Sequence, residues 1–264
     1  MRDLEAHEAE LGDADAVRRV LGRTRPAWIF HLAAHGAYPT QTDTLPIVQT
    51  NLVGTANLLE AAAGIGFEAF VNTGSSSEYG YKDHAPAEDE WLEPNSTYAV
   101  AKAAATMFCR QLARRTRLPV TTLRLYSVYG PFEEPSRLVP RLIEEGLQGR
   151  LPSLVNPSVA RDYVHVDDVC EAYLRAAEAG REPGAAYNIG TGIQTTLAGI
   201  VEVVRRLLAI DSAPAWGTME ERSWDTDVWV ADPARSKFEL GWTPKLDLEQ
   251  GLTKTIAWFR SEGR

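Results

Sequence analysis

Two hydrophobic rhythms alternate along the first half of the chain. Short apolar runs bounded by turn residues are followed by longer stretches whose apolar positions recur three and four apart. Ala27-Trp-Ile-Phe-His-Leu-Ala-Ala34, entered through Pro26, is a continuous apolar run suited to a buried parallel strand. Phe67-Glu-Ala-Phe-Val-Asn72 and Pro119-Val-Thr-Thr-Leu-Arg-Leu125 have the same character. Between them, Ile47, Val48, Leu52, Val53, Ala56, Leu59 and Ala62 keep helical spacing over residues 44–63. Asp13 to Leu21 predicts a helix capped by Asp13, and residues 98–116 predict a longer one with an alanine-rich start. Leu4 to Leu11 alternates loosely and predicts a strand turning at Gly12-Asp13.

This strand–helix alternation predicts an α/β fold, a parallel sheet with helices on both faces. After Pro131 the alternation loosens. Helices are predicted at 136–145, 167–179, 197–208, 232–240 and 248–260, with short strands near Arg161 and at Tyr187–Gly190. Residues 211–231, rich in Pro, Trp and charge, predict loops with one short strand. Two domains are expected: residues 1–130 around the main sheet, and residues 131–264 as a smaller lobe from which 187–190 returns to that sheet.

Composition narrows the function classes. The chain has 264 residues, 44% hydrophobic and 24% charged, as expected of a globular protein with a sizeable core. A net charge of −9 without any Lys/Arg-rich stripe speaks against nucleic acid as a partner, so a bound anion must be held by local arginines. Cys109 and Cys170 lie far apart inside predicted helices and read as buried thiols in a reducing compartment. The five histidines have no metal-ligand spacing, and no metal site is expected. There is no apolar run of membrane-spanning length and no signal-peptide pattern, so the expectation is a cytoplasmic protein without membrane contact.

Ligands of open parallel sheets sit beyond the carboxyl ends of the strands. Three such ends carry small or polar residues: Ala33-Ala34-His35, Gly74-Ser75 and Tyr126-Ser127. They are expected to meet in one crevice with Tyr98 and Lys102. These two are four apart, on one face of a helix whose start can be capped by Asn95, Ser96 or Thr97. A Lys ammonium beside a Tyr favours the phenolate, which makes the pair a proton-transfer device. The same pair also occurs at exposed helix starts with no function, so its surroundings decide.

Those surroundings resemble a known family. His31-Leu-Ala-Ala34, Asn51-Leu-Val-Gly-Thr55, Thr73-Gly-Ser75 with Glu78-Tyr-Gly80, and Tyr98-x-x-x-Lys102 occur in the order of the extended short-chain dehydrogenase/reductases. Leu125-Tyr-Ser-Val-Tyr-Gly-Pro131, Arg161-Asp-Tyr-Val-His-Val-Asp-Asp168 and Tyr187-Asn-Ile-Gly190 continue the series, and Leu240-Gly-Trp-x-Pro244 with the Gly251–Trp258 stretch ends it. The family comprises nucleotide-sugar epimerases, dehydratases and 4-ketoreductases. The resemblance implies a Rossmann-like doubly wound parallel sheet with a smaller α/β lobe for the nucleotide sugar, NAD or NADP as cofactor, and a homodimer formed by the helices at 44–63 and 98–116.

It also implies roles. Ser75 would hydrogen-bond the reacting sugar hydroxyl, Tyr98 would be its acid/base, and Lys102 would lower the Tyr98 pKa and hold the nicotinamide ribose. Asp13 and Ala14 resemble an adenine-contacting pair; Leu32, Ala33, Ala34, Asn51 and Tyr126 match other cofactor-contacting positions. Arg161 matches an arginine that grips the substrate diphosphate, Arg222 and Asp225 a pair that holds the nucleotide, and Ser127 stands where the family usually has Asn. Plainer readings stand beside these. Asp13 can be a plain cap, Arg161 a structural partner of Asp162 or Asp167, Arg222 a solvated side chain, and Trp216, Trp224 and Trp229 packing residues.

One family motif has no counterpart: the Gly-x-x-Gly-x-x-Gly turn after the first strand, which binds the pyrophosphate at a helix N-terminus. The sheet is therefore expected to be N-terminally truncated, with Ala27–Ala34 an exposed apolar edge. The favoured explanation is that Met1 is internal to a longer protein; a true fragment, or a half supplied by another chain, are the others. The 264 residues alone are expected to bind NAD(P) weakly.

Dehydratases of this family place an acidic residue directly after the catalytic Ser/Thr. Here Ser76 and Ser77 follow Ser75, and Glu78 comes one position late. The reading therefore favours a 4-epimerase, with a keto-sugar reductase second. A non-catalytic dinucleotide-fold binding protein is the reading from another class.

Overall fold

The computed structural model describes residues 4–38, 40–179, 182–219 and 228–261. In chain order its elements are α1 (Ala14–Thr24), β1 (Trp28–His31), α2 (Thr44–Val48), a π-helical turn (Gln49–Gly54), α3 (Thr55–Ile65), β2 (Ala69–Ser75), a 3-10 turn (Ser76–Tyr79), α4 (Thr97–Thr116), β3 (Val120–Leu125) and β4 (Ser127–Tyr129). There follow α5 (Leu138–Gly146), β5 (Ala160–Arg161), β6 (Tyr163–His165), α6 (Val166–Glu178), β7 (Ala185–Ile189), β8 (Thr195–Thr196), α7 (Leu197–Leu208), α8 (Ala234–Leu240) and α9 (Leu248–Ser261). The chain divides into two compact units: residues 1–80, 91–124 and 173–187, and residues 81–90, 125–172 and 188–264.

In the first unit β1 pairs parallel with β2, Trp28 opposite Ala69 through His31 opposite Asn72. The sheet order is β1-β2-β3-β7. Its core joins Ile29, Phe70 and Val120 of the strands to Val17 and Leu21 of α1, Leu59 of α3, and Cys109 and Leu112 of α4. Truncating one of these large side chains costs about 2–5 kcal/mol. α1 starts at Asp13, whose Oδ1 accepts from the backbone N–H of Asp15 and Ala16, both at 3.0 Å. The predicted strand at Leu4–Leu11 is absent: residues 4–10 have no regular structure and 11–12 form a turn. The loose alternation there covers a segment that is mostly exposed, so no sheet face fixes its register. β1 is terminal in the sheet order, and Trp28 and Phe30 remain 37% exposed, as expected of an apolar edge.

The second unit has its own core. Val139, Leu142 and Ile143 of α5, Ile200 and Val204 of α7, and Leu252 and Phe259 of α9 close around Tyr129 and Leu154. Trp216 packs against this core, as its plainer reading had it, while Trp224 lies outside the described residues. The β4–β6 pair is parallel, and β5–β8 antiparallel. Sequence patterning missed β4 and β8 because two or three residues are too few to show a period. The short strand expected in 211–231 does not occur among the described residues there. Cys170 is exposed, contrary to expectation. It sits off the stripe through which α6 buries Val169, Ala172, Tyr173 and Ala176.

Candidate active site

Ser75 ends β2 and caps the 3-10 turn. Its Oγ accepts from the Ser77 N–H at 3.2 Å and lies 2.7 Å from the Ser77 Oγ, while its own N–H donates to Glu78 Oε1 at 2.9 Å. This is a capping box. Glu78 does more than cap. Its Oε1 also accepts from Thr106 Oγ1 of α4 at 3.0 Å, and its Oε2 from Arg124 Nε of β3 at 2.9 Å. Arg124 Nη1 in turn donates to the Tyr79 hydroxyl at 2.8 Å. Glu78 is fully buried and Arg124 nearly so, a fixed ion pair that locks the turn carrying Ser75 between sheet and helix. Gly74 is small because of it: a Cβ there would stand 2.7 Å from Glu78 Oε1 and 2.8 Å from Thr122.

α4 begins at Ser96, whose Oγ accepts from Ala99 N–H, so of the three candidate caps it is the one used. Tyr98 lies half-buried in its first turn and Lys102 one turn on, buried. The Lys102 ammonium donates to the Thr73 carbonyl, two residues before Ser75. Burial depresses the Lys102 pKa, and the negative charge of Glu78 opposes that. Ser75, Tyr98 and Lys102 thus belong to one unit, and α4 packs on both β2 and the 3-10 turn. The arrangement sets a buried cation one helical turn from a tyrosine, the spacing that suits proton transfer at a phenol.

A chain of hydrogen bonds continues behind Lys102. Thr73 Oγ1 donates to the His31 carbonyl at 2.7 Å and accepts from the Tyr173 hydroxyl. Thr55 Oγ1 donates its one proton to the Asn51 carbonyl at 2.6 Å, so it must accept from His31 Nε2 at 2.8 Å. His31 Nε2 therefore carries a proton. Burial first, then the Lys102 charge, lower its pKa to about 4. This places His31 in the core.

Asn51 sits in the π-helical turn, 1% exposed. Its Oδ1 accepts from the His35 N–H at 3.0 Å and its Nδ2 donates to the His35 carbonyl at 2.6 Å. The side-chain amide pins the loop after β1. Leu32, Ala33 and Ala34 are exposed on that loop, while Asp13 is spent as a helix cap with Ala14 the first residue of α1. The donor set fits a dinucleotide. A buried ammonium stands beside a polar strand end, residues 32–34 of the loop are exposed, and the buried Asn95 Nδ2 has no hydrogen-bond partner among the described residues.

In the second unit Tyr126 is buried and Ser127 half-buried, opposite Tyr163 in the β4–β6 pair. Arg161 ends β5. Asp162 and Asp167, its candidate structural partners, also bond Thr191 and Lys254 respectively. The Arg161 guanidinium lies 5.0 Å from the Trp229 ring centre. Arg222 and Asp225 lie outside the described residues. Sequence reasoning missed Thr73, Asp162 and the role of Arg124. Only the Glu78 end of this group left a local signal, a Ser and a Glu three apart.

The sequence model of the NAD dependent epimerase/dehydratase family matches residues 1–190. A dTDP-glucose 4,6-dehydratase from Streptomyces griseus is 34% identical over 259 residues, covering 95% of this chain and 76% of that protein. A UDP-glucose 4-epimerase from Mycolicibacterium smegmatis is 32% identical over 265 residues, covering 97% and 83%. Among solved structures, the UDP-glucose 4-epimerase of Thermotoga maritima with UDP-glucose superposes with a TM-score of 0.90 at 30% identity, over 98% of this chain and 85% of that one. Both the family model and the relatives span the Ser75, Tyr98 and Lys102 segment, so the chain belongs to the NAD dependent epimerase/dehydratase family, within the extended short-chain dehydrogenase/reductases.

Proposed function

We propose that this protein is a nucleotide-sugar 4-epimerase. The observation that carries the reading is the fate of Glu78. Ser75 is followed by two serines, and the first carboxylate after it is buried in an ion pair with Arg124. A dehydratase needs a proton-relaying acid at this turn, and a carboxylate held by three hydrogen bonds is a poor one. Relatives of both activities align, so this turn is what tips the reading towards epimerisation.

In this reading Ser75 hydrogen-bonds the sugar C4 hydroxyl and Tyr98 takes its proton as a phenolate. Lys102 stabilises that phenolate and holds a ribose hydroxyl of the cofactor. A bound NAD would supply the hydride acceptor and return the hydride to the other face of the C4 ketone. Asp13, Ala14, Leu32, Ala33, Ala34 and Tyr126 are read as flanking the cofactor, with Asn51 shaping their loop. Arg161, Ser127, Arg222 and Asp225 are read as nucleotide-sugar contacts in a substrate lobe spanning 131–264. Exposed Val100 and Met107 on α4, with Val53 in the π-helical turn, support a homodimer through these helices. Among the described residues no helix is long and apolar enough to cross a membrane.

The test is to incubate the protein with NAD and UDP-glucose or dTDP-glucose and identify the product. The C4 epimer is expected. A 4-keto-6-deoxy sugar would overturn the reading in favour of dehydration.

A further inference from the structure

The second unit holds a buried carboxylate that the proposed chemistry does not use. Asp162, between β5 and β6, is wholly buried. Its Oδ1 accepts from the Thr191 N–H at 2.7 Å and the Thr191 hydroxyl at 2.6 Å. Its Oδ2 accepts from the Gly192 N–H at 2.9 Å and the Ala231 N–H at 3.1 Å. All four donors are neutral. Burial pushes the Asp162 pKa up, and these hydrogen bonds pull against it.

Two segments far apart in sequence are thereby tied to the backbone beside Arg161. They are also tied to each other: the Trp229 N–H donates to Gln194 Oε1 at 2.9 Å. Gly190 lets them close, since a Cβ there would stand 2.7 Å from both Asp162 Oδ2 and Ala231 Cβ. Trp229 rides on the tied segment with its ring 5.0 Å from the Arg161 guanidinium. Arg161 Nη1 donates to the Ala160 carbonyl at 2.7 Å, on its own strand.

We propose that Asp162 and Trp229 are positioning residues that hold the Arg161 guanidinium in one orientation for the diphosphate of a nucleoside diphosphate. The inference rests on the reading of Arg161 as the diphosphate-binding arginine. An arginine free in solvent must give up several rotamers on binding, whereas one held against an indole has already done so. Trp229 thus acts on affinity without touching the ligand.

Calorimetry with UDP and the full chain tests this. Trp229→Leu is expected to weaken UDP binding about three- to tenfold, the scale of one ordered side chain. Trp229→Phe keeps a ring face and is expected to stay near the parent. Asp162→Asn puts an amide N–H against the N–H of Gly192 and Ala231 and is expected to resemble Trp229→Leu; in turnover both raise KM more than they lower kcat. Should Arg161→Ala abolish binding while Trp229→Leu and Asp162→Asn bind UDP like the parent, the positioning role is refuted and the Arg161 reading survives. Parent-like UDP binding by Arg161→Ala would refute the Arg161 reading, and the positioning role with it. The Trp229 pair decides the matter even if Asp162→Asn does not fold.

Discussion

Arg124 Nε donates to Glu78 Oε2 at 2.9 Å with both side chains out of solvent, three residues after the serine that the proposed reaction uses. Removing one member of such a pair strands the other charge. Glu78→Gln is therefore expected to destabilise the fold by about 3–5 kcal/mol. Urea denaturation monitored by circular dichroism reads this directly. A variant as stable as the parent would mean that Glu78 is not the strut described and is available as an acid.

Tyr98→Phe removes one oxygen from a half-buried residue and leaves the α4 cap untouched. Turnover is expected to fall about 10²–10⁴-fold, the worth of a positioned acid/base, with an unchanged far-ultraviolet circular dichroism spectrum. Retained turnover would exclude Tyr98 as the proton carrier.

Lys102→Met takes a desolvated charge out of the interior. Because burial depresses the Lys102 pKa, the folded state bears a cost for that charge at neutral pH. The variant is expected to lose turnover and to melt no lower than the parent. A clear drop in melting temperature would show that the bond to the Thr73 carbonyl outweighs the desolvation.

His31 couples stability to acid. Its folded pKa of about 4 lies below the ordinary 6.5, so the unfolded chain binds its proton more tightly between these values. Stability is then intact above about pH 6.5 and is lost as pH falls towards 4. The difference between the two values corresponds to about 3 kcal/mol. His31→Asn should flatten this limb of the stability–pH curve, and an unchanged slope would assign the acid sensitivity elsewhere.

Gly80 has φ +70°, and a Cβ on it would fall 1.7 Å from the Glu93 carbonyl oxygen. Gly80→Ala is expected to lower the melting temperature sharply or prevent folding, since the backbone on both sides must move. A variant that melts with the parent would contradict the close approach of these segments.

Much of the first unit was legible because its strands are continuous apolar runs and its helices keep their period; the Ile29, Phe70 and Val120 strands all appeared where the runs were. The Leu4–Leu11 strand failed because alternation without a buried face carries no information. Ser75, Tyr98 and Lys102 were readable only as a set and through a family resemblance. Thr73 was not readable at all, because it holds Lys102 with its backbone carbonyl, which every residue type has. Asp162 escaped for a related reason. Its partners lie about 30 and 70 positions further along the chain, a distance over which no local pattern operates.

α2, the π-helical turn and α3 form one run from Thr44 to Ile65, and the π segment within it holds Asn51. The wider turn takes up one more residue than an α turn would, while the helix on either side keeps its register. Asn51 can therefore face His35 while Leu59 and Ala62 still face the core. The bulge thus lets one helix serve two masters: a loop at one end and a hydrophobic interior at the other.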